Sequence, residues 1–68
     1  MSLTKTQAKI LSFLKAYTKA QGYPPTRQEI CEHMGYKSVN SAQEALRAMA
    51  KKGAIKVSPE TTRGIKVL

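Results

Sequence analysis

Residues 24–38 read Pro-Pro-Thr-Arg-Gln-Glu-Ile-Cys-Glu-His-Met-Gly-Tyr-Lys-Ser, and this stretch decides the fold. Thr26 and Glu29 have the spacing of a capping box, in which each side chain bonds a free backbone amide at the start of a helix. Gly35 supplies the left-handed conformation that commonly ends a helix, and Ser38 can cap the next one. The stretch therefore predicts a helix-turn-helix.

Apolar side chains recur at helical spacing in three segments. The first helix is expected over about residues 6–21, with Thr4 as its cap and Gly22 at its end. The second is expected over about residues 27–34, and the third runs from Ser38 until Gly53 stops it. The inward-facing residues should be Ile10, Leu11, Phe13, Leu14 and Tyr17 on the first helix, Ile30 and Met34 on the second, and Ala42, Ala45, Leu46 and Met49 on the third.

The C-terminal residues alternate apolar and basic side chains, which is typical of half-buried strands. Residues 54–57 and 64–68 predict two strands, and residues 58–63 join them as a hairpin loop. The expected fold is mainly α with a small β-hairpin, a three-helix winged helix-turn-helix. Sixty-eight residues form one domain, so we expect residues 1–68 to be a single winged-helix domain.

Twelve basic residues face four acidic ones, which gives a formal net charge of +8. Such a charge favours polyanion binding, because neutralising phosphates releases counterions. Cys31 and His33 are too few for a metal site; we expect Cys31 in the core and His33 exposed. No catalytic constellation, cofactor site or membrane span is evident, so we expect a non-enzymatic protein of the cytoplasm.

The polar face of the third helix is the candidate DNA-reading surface. Asparagine can pair with adenine, glutamate can accept from cytosine N4, and arginine can grip guanine. Asn40, Glu44 and Arg47 lie on this face, with Ser41 and Gln43 on its flanks. An ordinary solvated helix face is the alternative interpretation of the same residues.

Basic residues around the end of the third helix and the hairpin are candidates for phosphate contacts, which position a protein without reading sequence. Lys66 lies among them, and a simple solvated rim is the alternative. The expected phosphate contacts are Thr26, Arg27, Lys51, Lys52, Lys56 and Arg63.

The chain resembles the N-terminal DNA-binding domain of the LexA-type SOS repressors almost from end to end. The residues that carry the resemblance are Leu3-Thr4, Gly22-Tyr23-Pro24-Pro25-Thr26-Arg27, Glu29-Ile30, Gly35, Ser38-Val39-Asn40, Glu44, Leu46, Lys52-Gly53 and Arg63-Gly64-Ile65. The resemblance implies a winged-helix fold whose third helix reads operator bases. It implies DNA contacts for Ser38, Asn40, Ser41, Gln43 and Glu44, and it makes the loop before Arg63 the wing.

The chain departs from the family pattern at three places on the third helix. Gln43-Glu44 stands where many members have an acidic pair, Ser41 where many have alanine, and Val39 where proline is frequent. The first two concern base readout, so the family operator cannot simply be transferred. Family repressors also have a C-terminal domain that dimerises and cleaves itself with a Ser-Lys pair, and these residues do not include it.

The expected function is therefore sequence-specific binding of double-stranded DNA by a LexA-like transcriptional repressor domain. Homodimers would form through regions absent here. Two alternatives stay open. One is a winged-helix protein-interaction module, and the other is a small stand-alone phage or mobile-element regulator that acts through a protein partner. A part of a self-cleaving repressor that lacks the catalytic half is a third interpretation.

Overall fold

Three helices are followed by a two-stranded hairpin, as expected for a winged helix-turn-helix. The computed structural model of the chain describes residues 3–58 and 64–68. The elements are α1 (Lys5–Gln21), α2 (Arg27–Met34), α3 (Val39–Lys51), β1 (Ile55–Val57) and β2 (Ile65–Val67).

Helix α1 begins one residue earlier than expected and is held by two reciprocal bonds at its start. Thr4 is the cap, and its hydroxyl accepts from the Gln7 amide at 3.1 Å. The Gln7 side chain accepts in turn from the Thr4 amide at 3.1 Å, which completes a capping box. Gly22 ends the helix with φ 84°, as predicted.

Helix α2 has the predicted bounds and the predicted caps. The Thr26 hydroxyl accepts from the Glu29 amide at 3.1 Å, and the Glu29 carboxylate accepts from the Thr26 amide at 2.7 Å. Gly35 follows with φ 72°, where an L side chain would be strained. These two local signals fix the length of α2.

Helix α3 differs from expectation at its start. Ser38 occupies the cap position with extended backbone, but its hydroxyl makes no capping hydrogen bond. The expected side-chain cap is therefore wrong, although the helix begins where Ser38 predicts. Its last residue is Lys51, and Gly53 turns the chain with φ 81° towards the hairpin.

The hairpin is antiparallel and shorter than expected. Ile55 pairs with Val67, Lys56 with Lys66, and Val57 with Ile65. Ala54 and Leu68 lie just outside the strands, although the Leu68 amide still donates to the Ala54 carbonyl at 3.1 Å. The loop expected at residues 58–63 lies outside the described residues except for Ser58.

The core lies where the inner faces of all three helices meet the hairpin. Each fully buried leucine or isoleucine contributes about 1.5–3 kcal/mol relative to exposure. Cys31 is buried as predicted, and its thiol donates to the Tyr36 carbonyl at 3.3 Å. His33 is exposed as predicted, although its ring stacks on Phe13 with centroids 4.0 Å apart. The buried hydrophobic residues are Ile10, Leu14, Ile30, Cys31, Ala42, Leu46, Met49, Ile55 and Ile65.

Candidate nucleic-acid interface

Helix α3 presents a polar face to solvent opposite a buried apolar stripe. Ala42, Leu46 and Met49 are buried in the core and fix the rotation of the helix about its axis. The expected reading residues Asn40, Ser41, Gln43, Glu44 and Arg47 are all exposed. Because no large apolar side chain interrupts them, this face can approach the edges of bases.

The start of α3 leaves polar groups accessible. Ser38 is exposed, and its hydroxyl has no capping bond to the helix. The positive end of the helix dipole lies here, next to the exposed Lys37. Lys37 was not among the DNA-contacting residues expected from the sequence. Its place between Gly35 and Ser38, in the turn before α3, was a signal for such a role.

Arg27 lies against α3. Together with Gln43 it lines two shallow clefts of about 220 and 470 Å³, and Arg47 lines the first of these. The Arg27 Nε is buried and has no hydrogen-bond partner within the part of the chain that the structure describes. Arg27 as a whole is half-buried, and its guanidinium carries further N–H donors on its terminal nitrogens.

Helix α2 is tied to α1 by a carboxylate that serves both helices. One Glu29 oxygen caps α2, and the other accepts a hydrogen bond from the Tyr17 hydroxyl at 2.8 Å. The Tyr17 ring in turn packs edge-on against Phe13 and Tyr23, at centroid distances of 5.6 and 6.1 Å. Tyr17 thus packs between α1 and the start of α2, and it orients the helix that follows Thr26.

The expected phosphate contacts occupy different environments. Lys51 and Lys56 are exposed, and Lys56 lies directly opposite Lys66 on the hairpin. Like charges in that arrangement repel, and an anion relieves the repulsion. Lys52 is half-buried, and its ammonium donates to the Gln7 side chain at 2.6 Å, which ties the end of α3 to the start of α1. Arg63 lies outside the described residues.

Comparison with known proteins identifies the family. A family model described as the LexA DNA binding domain matches residues 1–64. The chain belongs to the LexA DNA-binding domain family.

Several LexA repressors share about half of their aligned residues with this chain. The chain is 49% identical over 67 residues to the LexA repressor of Pseudomonas chlororaphis, which covers 98% of the chain and 33% of that protein. It is 51% identical over 65 residues to the LexA repressor of Pseudomonas aeruginosa strain LESB58, covering 96% of the chain and 32% of the repressor. The LexA repressor of Cellvibrio japonicus is 47% identical over 66 residues, and the alignment covers 97% of the chain and 33% of that repressor. The chain therefore spans about a third of the length of these LexA repressors.

The described residues meet neither the requirements of a metal site nor those of a membrane-spanning helix. Among residues 3–58 and 64–68, no three His, Cys, Asp or Glu side chains group as metal ligands. No helix in the same ranges is long and apolar enough to cross a membrane. The family model that matches residues 1–64 is described as a DNA-binding domain.

Proposed function

We propose that the chain is the operator-reading domain of a LexA-like transcriptional repressor, with α3 in the major groove of double-stranded DNA. The observation that carries the proposal is the exposed polar face of α3, presented by a helix-turn-helix of the LexA DNA-binding family. Binding of the whole repressor over a promoter would block polymerase.

The proposed base contacts follow from the chemistry of the exposed side chains. Asn40 and Glu44 lie one turn apart near the start of α3, the end that enters the major groove in such motifs. The Asn40 amide suits adenine N6 and N7, the Glu44 carboxylate suits cytosine N4, and Arg47 suits guanine. Ser38, Ser41 and Gln43 complete the proposed reading set.

The proposed phosphate contacts flank that face. Arg27 is a half-buried cation beside Gln43 of α3, and Thr26 keeps its hydroxyl proton although its oxygen accepts the capping bond. Lys51 and Lys56 are exposed cations, and Lys56 lies opposite Lys66 on the neighbouring strand of the hairpin. Lys52 is the weakest member of the set, because its ammonium already bonds Gln7. Arg63 remains a proposed contact from the sequence alone, because it lies outside the described residues.

The operator is expected to contain two inverted half-sites. Dimeric helix-turn-helix proteins match the two-fold symmetry of their sites, with half-sites about one helical turn or a multiple apart. The resemblance places the main dimer contacts outside these residues, so we expect the 68-residue chain to be monomeric or weakly dimeric without DNA.

Selection from a random duplex library at stated salt tests the proposal. We expect enrichment of one half-site motif, which the triple variant Asn40→Ala/Glu44→Ala/Arg47→Ala should no longer enrich while its general DNA affinity persists. The matched control, Lys5→Ala/Lys9→Ala on the outer face of α1, should enrich the same motif as the parent. Recovery of no common motif by the parent would contradict sequence-specific reading and would favour an interaction module.

A further inference from the structure

A groove separates the C-terminal half of α1 from the hairpin, on a part of the surface that α3 does not line. Its volume is about 650 Å³. One wall consists of Lys15, Thr18 and Lys19 of α1, and the other consists of strand β2 (Ile65–Val67). Pro24, from the segment between α1 and α2, also lines it. None of the proposed base-reading residues contributes to the lining.

The side of the groove formed by β2 is an unpaired strand edge. The described sheet has two strands, so β2 pairs with β1 on one side only. The Ser58 amide bonds Gly64 O at 2.7 Å, and the Leu68 amide bonds Ala54 O at 3.1 Å. In an antiparallel ladder hydrogen-bonded residues alternate, so Ile65 and Val67 direct their backbone N–H and C=O groups away from β1.

The groove combines an apolar floor with a positive rim. Val67 and Pro24 are half-buried and leave hydrocarbon surface on the floor, which the nearly fully buried Ile65 also lines. Lys15 and Lys19 are exposed and lie one helical turn apart, where like charges repel. No carboxylate among the described residues lines the groove. A phosphate group alone would gain nothing from the apolar floor.

We infer that this groove binds an extended acidic peptide segment of a partner protein by β-strand addition to β2. The backbone of the peptide would bond the outward-directed groups of Ile65 and Val67. Its alternate apolar side chains would cover the floor, and the carboxylates between them would face Lys15 and Lys19. Strand addition supplies affinity through the backbone and specificity through alternate side chains, which matches these three features.

The test uses the intact 68-residue chain and a labelled hexapeptide that alternates valine with glutamate. Nitrogen-15 chemical shifts of the protein should move at residues 65–67 and at Lys15 and Lys19, and not along α3. Two further peptides test the apolar and the backbone contacts separately. One has serine in place of valine, and the other carries N-methyl groups on alternate backbone amides. Both should bind at least several-fold more weakly than the parent hexapeptide.

A pair of matched variants separates the groove from general positive charge. Lys15→Ala/Lys19→Ala should weaken the hexapeptide roughly five-fold or more, through two lost ion pairs. Lys5→Ala/Lys9→Ala removes the same charge, at the same spacing on α1, outside the groove lining, and should change affinity by less than about two-fold. Equal weakening by both pairs would overturn the inference. The inference would also be overturned if the hexapeptide did not bind, if its shifts centred on α3, or if the serine peptide bound equally well. The same holds if concentrating the free chain caused the groove shifts by self-association.

Discussion

Replacement of Tyr17 by phenylalanine should destabilise the domain by a predictable amount. The Tyr17 hydroxyl donates to Glu29 Oε2 at 2.8 Å in a partly buried setting. Hydrogen bonds to charged groups contribute about 1.5–3 kcal/mol, and partial exposure favours the lower end. We therefore expect Tyr17→Phe to lower the free energy of unfolding by about 1.5 kcal/mol. In a domain of this size that corresponds to a fall in Tm of roughly 6–12 °C.

Glu29→Ala should cost more, because the same carboxylate also caps α2 through the 2.7 Å bond to the Thr26 amide. Loss of a cap costs about 1 kcal/mol, so the two losses together give about 2–3 kcal/mol. The double variant should cost less than the sum of the two single variants, with a coupling free energy of about 1 kcal/mol. This coupling isolates the Tyr17–Glu29 bond from other effects of removing either side chain.

Urea denaturation of the parent, both single variants and the double variant measures the coupling. Tyr36→Phe is the matched control, because Tyr36 is also half-buried and bonds Cys31 through its backbone carbonyl, which the substitution keeps. It should change stability by less than about 0.5 kcal/mol. A coupling near zero, with Tyr17→Phe and Tyr36→Phe equally costly, would refute the reasoning that this bond holds α2 against α1.

Three further outcomes are expected. Gly35→Ala should lower the free energy of unfolding by about 1 kcal/mol. The cost is backbone strain, because φ is 72° and an added Cβ would meet no atom within 4 Å. A chemical denaturation curve that matches the parent would contradict this expectation. If about four to six phosphates are contacted, the slope of log K against log salt should be roughly −4 to −5, and a flat dependence in filter-binding or fluorescence titrations would exclude the phosphate contacts. Two copies joined by a linker that spans the operator should bind roughly 10²–10⁴-fold more tightly than one, and a tight dimer of the free chain in sedimentation would contradict the expected monomer.

Local signals in the sequence were sufficient for the helices of the fold. Thr26, Glu29 and Gly35 indicated both ends of α2, because caps act within a few residues and depend little on the rest of the chain. The position of Ser38 indicated the start of α3 but not whether its hydroxyl makes a capping hydrogen bond. A capping hydrogen bond depends on a side-chain rotamer, which sequence spacing does not determine.

Long-range contacts were beyond sequence reasoning. The bond from Lys52 to Gln7 joins residues 45 positions apart, so no spacing rule indicates it. It changes the interpretation of Lys52 from a solvated surface cation to one that also secures α1. The burial of the Arg27 Nε likewise could not be inferred from the sequence, since it depends on how α2 packs beside Gln43. The helical period did, however, place Asn40, Glu44 and Arg47 together on the exposed face of α3.

We propose above all that α3 reads base sequence while the lysines beyond it contact only the DNA backbone. The most direct measurement compares the affinity for the selected site with the affinity for unrelated duplex DNA, for Asn40→Ala, Glu44→Ala and Lys51→Ala. Each of the first two should lose about 1–3 kcal/mol on the selected site and lower the specificity ratio accordingly. Lys51→Ala should weaken both DNAs by a similar factor and reduce the magnitude of the salt slope by about 1. Retention of the full specificity ratio by Asn40→Ala and Glu44→Ala would contradict the account.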